Sequence, residues 1–412
     1  MDSLLTVEAA QALAVAAARP LGAERVGLRE ALGRVLAEAV TAPDDVPPHR
    51  NSAMDGFAVR SIDVGDASDV SAPVELRIVG EVAAGHAAAR AIGAGEALRI
   101  MTGAPLPDGA DAVVMVERTE AAGDRVRILE AARAGQHVRE PGEDVRRGDV
   151  VVPAGATLGP AELGVLASAR RAQVAVTRRP VVALLSTGDE LRDVDQPLDA
   201  RAGKIADTNS YALEALVREA GGVARVSPIV RDDRALLRAA IEDARAADLI
   251  VSTGGVSVGE HDHVKAVLAE LGATLDAWRV NMKPGKPVAL ARLGATPYFG
   301  LPGNPVSAMV SFLLFVRPAI RTALGCARPF DLPTVAARLA QPLRTRGDRR
   351  SYLRAHLRSD GAGALTVEVA ARQGSHVLSS MVGANALVAV EPGAHELAAG
   401  VMVRAIVIAA IG

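Results

Sequence analysis

The chain has 412 residues, 50% hydrophobic, 23% charged and only 2% aromatic. That length exceeds one ordinary core and implies three or four folded units, and the balance of residues excludes a disordered protein. A formal net charge of -2 gives no overall attraction to nucleic acid or anionic membrane, and the longest apolar stretch, Val306 to Val316, is too short to span a bilayer.

Asp2 and Glu8 stand where a secretion signal would carry positive charge, so a cytoplasmic location is expected. Cys326 is the only cysteine, which excludes an intrachain disulfide and a multi-cysteine zinc site; it reads as a buried small hydrophobe. Residues 6 to about 40 read as helices, opened by Thr6 as an N-cap. Pro43, Pro47 and Pro48 break them into an extended connection. Short β-type runs follow, such as 74–79 and 112–116, and a helical pattern resumes over residues 160–169.

From residue 179 strands alternate with helices. Val181 to Leu185 and Leu249 to Val251 are continuous apolar runs, as strands buried on both faces require, and residues 209–220 and 234–246 are amphipathic. A helix from about Asp262 to Leu271 and a long apolar helix ending near Leu324 complete this part. After Arg328-Pro329 the pattern returns to short strands. The fold class is therefore multidomain α/β plus β: a central three-layer α/β domain with a mostly parallel sheet over 179–327, a helical or mixed N-terminal domain from 1–50 plus 140–178, an inserted β-rich domain at 51–139, and a β-barrel-like C-terminal domain at 328–412.

Four strand candidates of the α/β domain end in glycine-bearing turns: Thr187-Gly188-Asp189-Glu190, Thr253 to Glu260 with Gly254, Gly255, Ser257 and Gly259, Lys283-Pro284-Gly285-Lys286, and Leu301-Pro302-Gly303-Asn304-Pro305. Carboxyl ends of strands in an open parallel sheet line one edge, so these turns converge on an anion-binding edge. The chain has 46 basic residues but only four lysines, Lys204, Lys265, Lys283 and Lys286, and two of them share one of these turns. A compact ammonium suits an oxyanion. The run His261-Asp262-His263 suggests metal binding, but positions i and i+2 on a helix diverge, so surface histidines flanking Asp262 are the better reading.

At these turns the sequence resembles the molybdopterin molybdenumtransferase family (MoeA, gephyrin C-terminal domain). The resemblance begins at Asn51-Ser52-Ala53-Met54-Asp55-Gly56-Phe57-Ala58 and continues through Met101-Thr102-Gly103-Ala104-Pro105 and Pro141-Gly142-Glu143-Asp144. It then runs through the four turns, Asp207-Thr208-Asn209 and Arg231-Asp232-Asp233, and is weakest in the C-terminal domain. It implies insertion of molybdenum from molybdate into adenylylated molybdopterin with release of AMP, using Mg²⁺. The implied catalytic residues are Glu190, Asp232, Asp262 and Lys283 from the molybdopterin-binding α/β domain and Asp55, Thr102 and Asp144 from the N-terminal units, with Glu190 and Asp262 as metal ligands. Substrate-binding residues are expected at Gly188, Asp189, Gly254, Gly255, Ser257, Gly259, Arg279, Lys286, Pro302 and Pro305; Arg279 replaces a lysine common in the family. Spacing does not decide which carboxylate touches metal and which positions water.

The N-terminal residues reach the cleft of the other subunit in the family, which implies a homodimer; a molybdopterin adenylyltransferase and recipient molybdoenzymes are implied partners. Two other readings are a molybdopterin adenylyltransferase and a non-catalytic pterin-binding scaffold or carrier. The sister enzyme's Gly-Gly-Thr-Gly turn differs from Gly254-Gly255-Val256-Ser257-Val258-Gly259 here, and the charged turn residues suit chemistry better than scaffolding.

Overall fold

The first helix, α1 (Val7–Ala17), starts where the Thr6 hydroxyl accepts the Ala9 N–H at 3.1 Å. In the computed structural model, which describes residues 4–68, 72–197, 200–256, 263–359, 361 and 363–411, the expected helical stretch to residue 40 ends at that first helix. Ala23–Gly27 is instead a strand, paired antiparallel with Gln173–Thr177. Pro20, Gly22 and Gly27 interrupt helical continuation, and the distant partner strand satisfies the backbone, so tertiary pairing outweighs the helix propensity of Ala and Leu.

Two more pairings of the same kind follow, Val40–Thr41 with Val150–Val152 and Asn51–Ser52 with Val138–Arg139. Between them lies a six-stranded sheet containing Gly56–Val59, Val74–Val82 and Ala112–Met115, folded around Phe57, Val114, Val126 and Ile128. Helix α2 (Pro160–Ser168) packs beside the N-terminal strands, with Leu166 in their core.

The α/β domain has a six-stranded sheet. Val223–Val226, Val181–Ser186, Leu249–Thr253 and Thr296–Leu301 run parallel in that spatial order, and Pro287–Leu293 and Thr274–Arg279 add an antiparallel edge. Side chains alternate across the sheet: Val182 and Leu184 enter one core, Ala183 and Leu185 the other. Helices α3 (Asn209–Glu219) and α6 (Pro305–Ala323) cover the first face, while α4 (Arg234–Ala244) and α5 (His263–Glu270) cover the second, which makes the three layers. By length and composition α6 could cross a membrane, but most of it is buried within its own domain.

Helix α1 also lies on this first face. Val7, Ala10 and Ala14, spaced along one stripe, join the core of Val182, Leu184, Phe299, Phe315 and Ile320. The expected boundary assigned this helix to the N-terminal unit; its small-residue stripe packs into the α/β core instead. The C-terminal strands Arg350–Ser359, Leu365–Val369, Thr334–Leu339, Met402–Val407 and Ala386–Val390 pair in a closed circuit, a barrel around Ala337, Leu357, Val367, Val388 and Ala405. The short strand Met282–Lys283 leaves the α/β domain and pairs in parallel with Arg350–Ser351 of the barrel.

Ala10 has 0% exposure beneath this helix. Ala10→Leu should destabilise the α/β domain by about 1–3 kcal/mol through overpacking. A thermal unfolding transition at the native temperature would contradict the placement of α1.

Candidate active site

The strand ends of the α/β sheet form one cleft because their turns are tied to each other. Thr187 N–H donates to the Thr253 carbonyl at 3.0 Å, Gly254 N–H to Leu301 at 3.2 Å and Gly188 N–H to Val230 at 3.1 Å. These three amides therefore hold the turns together. Gly254, at φ 87°, is tightly constrained: a Cβ there would lie 2.6 Å from the Thr187 carbonyl oxygen. At Gly188 a Cβ would meet the Glu190 carboxylate at 2.5 Å, so the acid folds back across the glycine.

The cleft has a volume of about 640 Å³ and is lined by Thr187, Glu190, Asp207, Thr208, Asn209, Gly254 and Pro305, with Leu191, Ile205 and Leu378 as apolar wall. Asp207 is buried and accepts the Asn209 and Ser210 amides at 3.0 and 3.1 Å, which fixes the start of α3. Asn209 then donates through Nδ2 to the Gly303 carbonyl at 2.8 Å, and its Oδ1 is buried without a partner. An orphaned buried acceptor in a pocket wall is a ready contact for a ligand N–H.

A second pocket, of about 830 Å³, opens between the α/β domain and the barrel. Lys283, Lys286 and Pro302 line it from one side, Arg354 and Ser375 from the other, and Asn304 lines both pockets. Arg354 is 1% exposed. Its Nε donates to Ser380 Oγ at 3.1 Å and its Nη2 to the carbonyls of Arg372 and Gly374 at 3.2 and 3.1 Å. No carboxylate pairs with it among the described residues, and burial pulls its ionisation below the ordinary arginine range. Such a cation is a standing demand for an anion.

The two pockets are joined by a contact between domains. The Ser375 carbonyl accepts the Val306 N–H at the start of α6 at 3.1 Å, and Asn304 Nδ2 donates to Ser375 Oγ at 3.1 Å. Pro302 and Pro305 have no amide hydrogen, so the barrel takes an N–H that this helix start would otherwise offer to an anion. The next residue, His376, lines the cleft.

The structure thus gathers Glu190, Gly254 and Pro305 at the cleft and Lys283, Lys286 and Pro302 at the second pocket. Asp189 and Asp232 face one another, each amide reaching the other's carboxylate at 3.4 Å, on exposed turns beside the cleft. Gly255 supports the floor, where a Cβ would strike Val264 at 2.7 Å. Arg279 lines neither pocket; it ends the strand Thr274–Arg279, while Lys283 has passed to the barrel's strand system. Ser257, Gly259 and Asp262 lie outside the described residues. Among the described residues no group of three or more His, Cys, Asp or Glu forms a metal cluster.

Asp55 and Thr102 meet directly: Asp55 Oδ1 accepts the Thr102 amide at 2.6 Å and its hydroxyl at 2.7 Å. Those bonds, the amide first, hold the Asp55 carboxyl below the usual aspartate value. Asp144 is exposed on a loop whose amide donates to Val46. None of these three lines either pocket of its own chain. Sequence reasoning missed Asn209 as a lining residue, and Arg354, Ser375 and His376 altogether. The last three come from the barrel; the strand Arg350–Ser359 carries three arginines, Arg350, Arg354 and Arg358, and no local pattern marks Arg354 as the buried one.

Fold and site define a multidomain α/β protein with a cation-lined pocket adjoining a second cleft at Asn304. The profile of the MoeA N-terminal region (domains I and II) matches residues 5–169, that of a probable molybdopterin binding domain 183–322, and that of the MoeA C-terminal region (domain IV) 336–408. The chain belongs to the MoeA family, that of the molybdopterin molybdenumtransferases. Proteins of that name from Haemophilus influenzae and Nostoc sp. are 37% and 42% identical to it, over 92% and 80% of this chain and 93% and 76% of theirs. The crystal structure of the molybdopterin biosynthesis moeA protein from Pyrococcus horikoshii OT3 is similar with a TM-score of 0.86 and 29% identity, covering 98% of this chain and 100% of that one.

Thr102→Val removes the hydroxyl bond to Asp55 and should raise the Asp55 pKa toward the ordinary aspartate value, read by NMR titration of the carboxylate. The stabilisation from this bond is present above the unfolded pKa and disappears as pH falls through the depressed folded value. An unchanged titration would contradict the Asp55–Thr102 contact.

Proposed function

We propose that this enzyme inserts molybdenum from molybdate into adenylylated molybdopterin, releasing AMP and molybdenum cofactor. The carrying observation is that the cation-lined pocket and the cleft share Asn304. An oxyanion held by Lys283, Lys286 and Arg354 would lie next to a nucleotide-pterin in the cleft. Arginine and lysine recognise tetrahedral oxyanions by charge-assisted hydrogen bonds. The apolar wall of Leu191, Ile205 and Leu378 suits a flat heterocycle, and Asn209 Oδ1 supplies an acceptor for a ring N–H.

One oxygen, from molybdate or from a water that molybdate sheds, adds to the adenylyl phosphorus as the phosphoanhydride breaks. AMP leaves with that oxygen, the pterin keeps its own phosphate, and the pterin's two sulfurs replace oxygens on molybdenum with no change of oxidation state. This chain's residues would bind both reactants, orient them across Asn304 and keep bulk water from the junction by the closure of Ser375 over the start of α6. Glu190, the hydroxyls of Thr187 and Thr208 and the carboxylate of Asp207 give an oxygen-rich lining that fits Mg²⁺, with Glu190 as the ligand we assign to it. Mg²⁺ would supply charge neutralisation at the phosphates.

Asp55, Thr102 and Asp144 line neither pocket of their own chain, which supports a homodimer in which a second copy brings them to the cleft. The chemistry requires an adenylyltransferase upstream and molybdenum-dependent enzymes downstream, and we assign the reaction to the cytoplasm.

Arg354→Met keeps most of the side-chain volume and removes the charge. Molybdate-dependent AMP release from adenylylated molybdopterin should fall about 10- to 100-fold, the cost of a lost charge-assisted bond. The melting temperature should hold or rise, because an uncompensated buried charge is gone. Full turnover by this variant would overturn the assignment of the oxyanion pocket, and AMP release by the native enzyme without any dependence on molybdate would overturn the proposed reaction.

A further inference from the structure

The oxyanion pocket is far larger than a tetrahedral ion, and its basic lining extends beyond its floor. Lys283, Lys286, Arg344, Arg346, Arg349 and Arg354 all line it, and no Asp or Glu does. This lies in a chain whose net charge is -2. Arg354 is buried at the floor, whereas Arg344 and Arg346 are exposed on a two-stranded ribbon, Leu343–Gly347 paired antiparallel with Gly393–Leu397.

The register of that ribbon separates its charges. Residues two apart on a strand share a face, so Arg344 and Arg346 lie together. Glu396 stands opposite Arg344 and pairs with it at 3.5 Å, while Ala394 stands opposite Arg346. Arg346 has no acidic partner among the described residues. Arg349, nearer the floor, donates to the Met282 carbonyl at 3.3 Å, with Asp348 3.5 Å away. A cation held exposed at a pocket mouth, with no acid across the ribbon, contributes little to folding and lies within a Debye length of an arriving ion.

We propose that this arginine ribbon recruits the oxyanion: Arg346 raises the rate at which a tetrahedral dianion enters the pocket, and Glu396 moderates it by neutralising Arg344. Arg346, exposed on the ribbon, acts on encounter, while the ion is seated by Lys283, Lys286 and Arg354. The inference rests on the proposed use of this pocket for molybdate and adds a kinetic role to residues outside the binding set. Steering by fixed charges at a cleft mouth increases association and weakens with salt.

The test is molybdate-dependent AMP release by the full chain at limiting and saturating molybdate, across a series of ionic strengths. Arg346→Gln should lower kcat/KM for molybdate about two- to fivefold at low salt, leave kcat unchanged and flatten the salt dependence. Glu396→Gln should act in the opposite direction and steepen it. If both variants keep the native salt dependence while the native enzyme turns over with molybdate, recruitment by the ribbon is wrong and the reaction stands. If the native enzyme shows no molybdate-dependent turnover, the reaction itself falls, and the ribbon's proposed role with it.

Discussion

A guanidinium buried with no carboxylate beside it among the described residues is the constraint around which this site is arranged. Arg354 is held by one hydroxyl and two carbonyl oxygens, which orient it and leave its charge unneutralised. Removing a charge from water is costly, and neutral oxygens offset only part of that cost. The barrel supplies the arginine, the α/β domain brings Lys283 and Lys286 to the same pocket, and the parallel pairing of Met282–Lys283 with Arg350–Ser351 fixes one against the other. An anion is the component this arrangement demands.

The same interface joins the two pockets. Ser375 accepts the Val306 N–H on its carbonyl and the Asn304 Nδ2–H on its hydroxyl oxygen, so the barrel is latched where the cleft and the cation-lined pocket adjoin. In an open α/β sheet, strand ends and helix starts commonly bind phosphate through backbone amides. Here several of those amides are spent on neighbouring turns or on the barrel, and side chains from two domains carry the positive charge instead. Gly254 and Gly188 permit close approaches that set the position of Thr187 and Glu190, and Gly254 also lines the cleft.

Much of the α/β domain was legible because strands covered on both faces leave continuous apolar runs and its helices carry amphipathic stripes. Val181–Ser186, α3 and α4 appear close to where those patterns put them. The N-terminal region was less legible, since Ala23–Gly27 becomes a strand only through a partner far along the chain. The membership of α1 in the α/β core was equally hidden, because Val7, Ala10 and Ala14 show an apolar stripe without showing its destination. At the site, Glu190, Lys283 and Lys286 could be proposed from local turns, whereas Arg354, Ser375 and His376 depend on how a separate barrel docks. Arg279, expected at the substrate through the family resemblance, lies in a different sheet from Lys283 and lines neither pocket.

A crystal structure of the protein soaked with tungstate and AMP tests the central claim most directly. The account predicts anomalous density for the metal among Lys283, Lys286 and Arg354, the nucleotide in the cleft beside Glu190, and Asp55 of a second copy turned toward that nucleotide. Tungstate bound away from Arg354, with that guanidinium still lacking an anion, would contradict it.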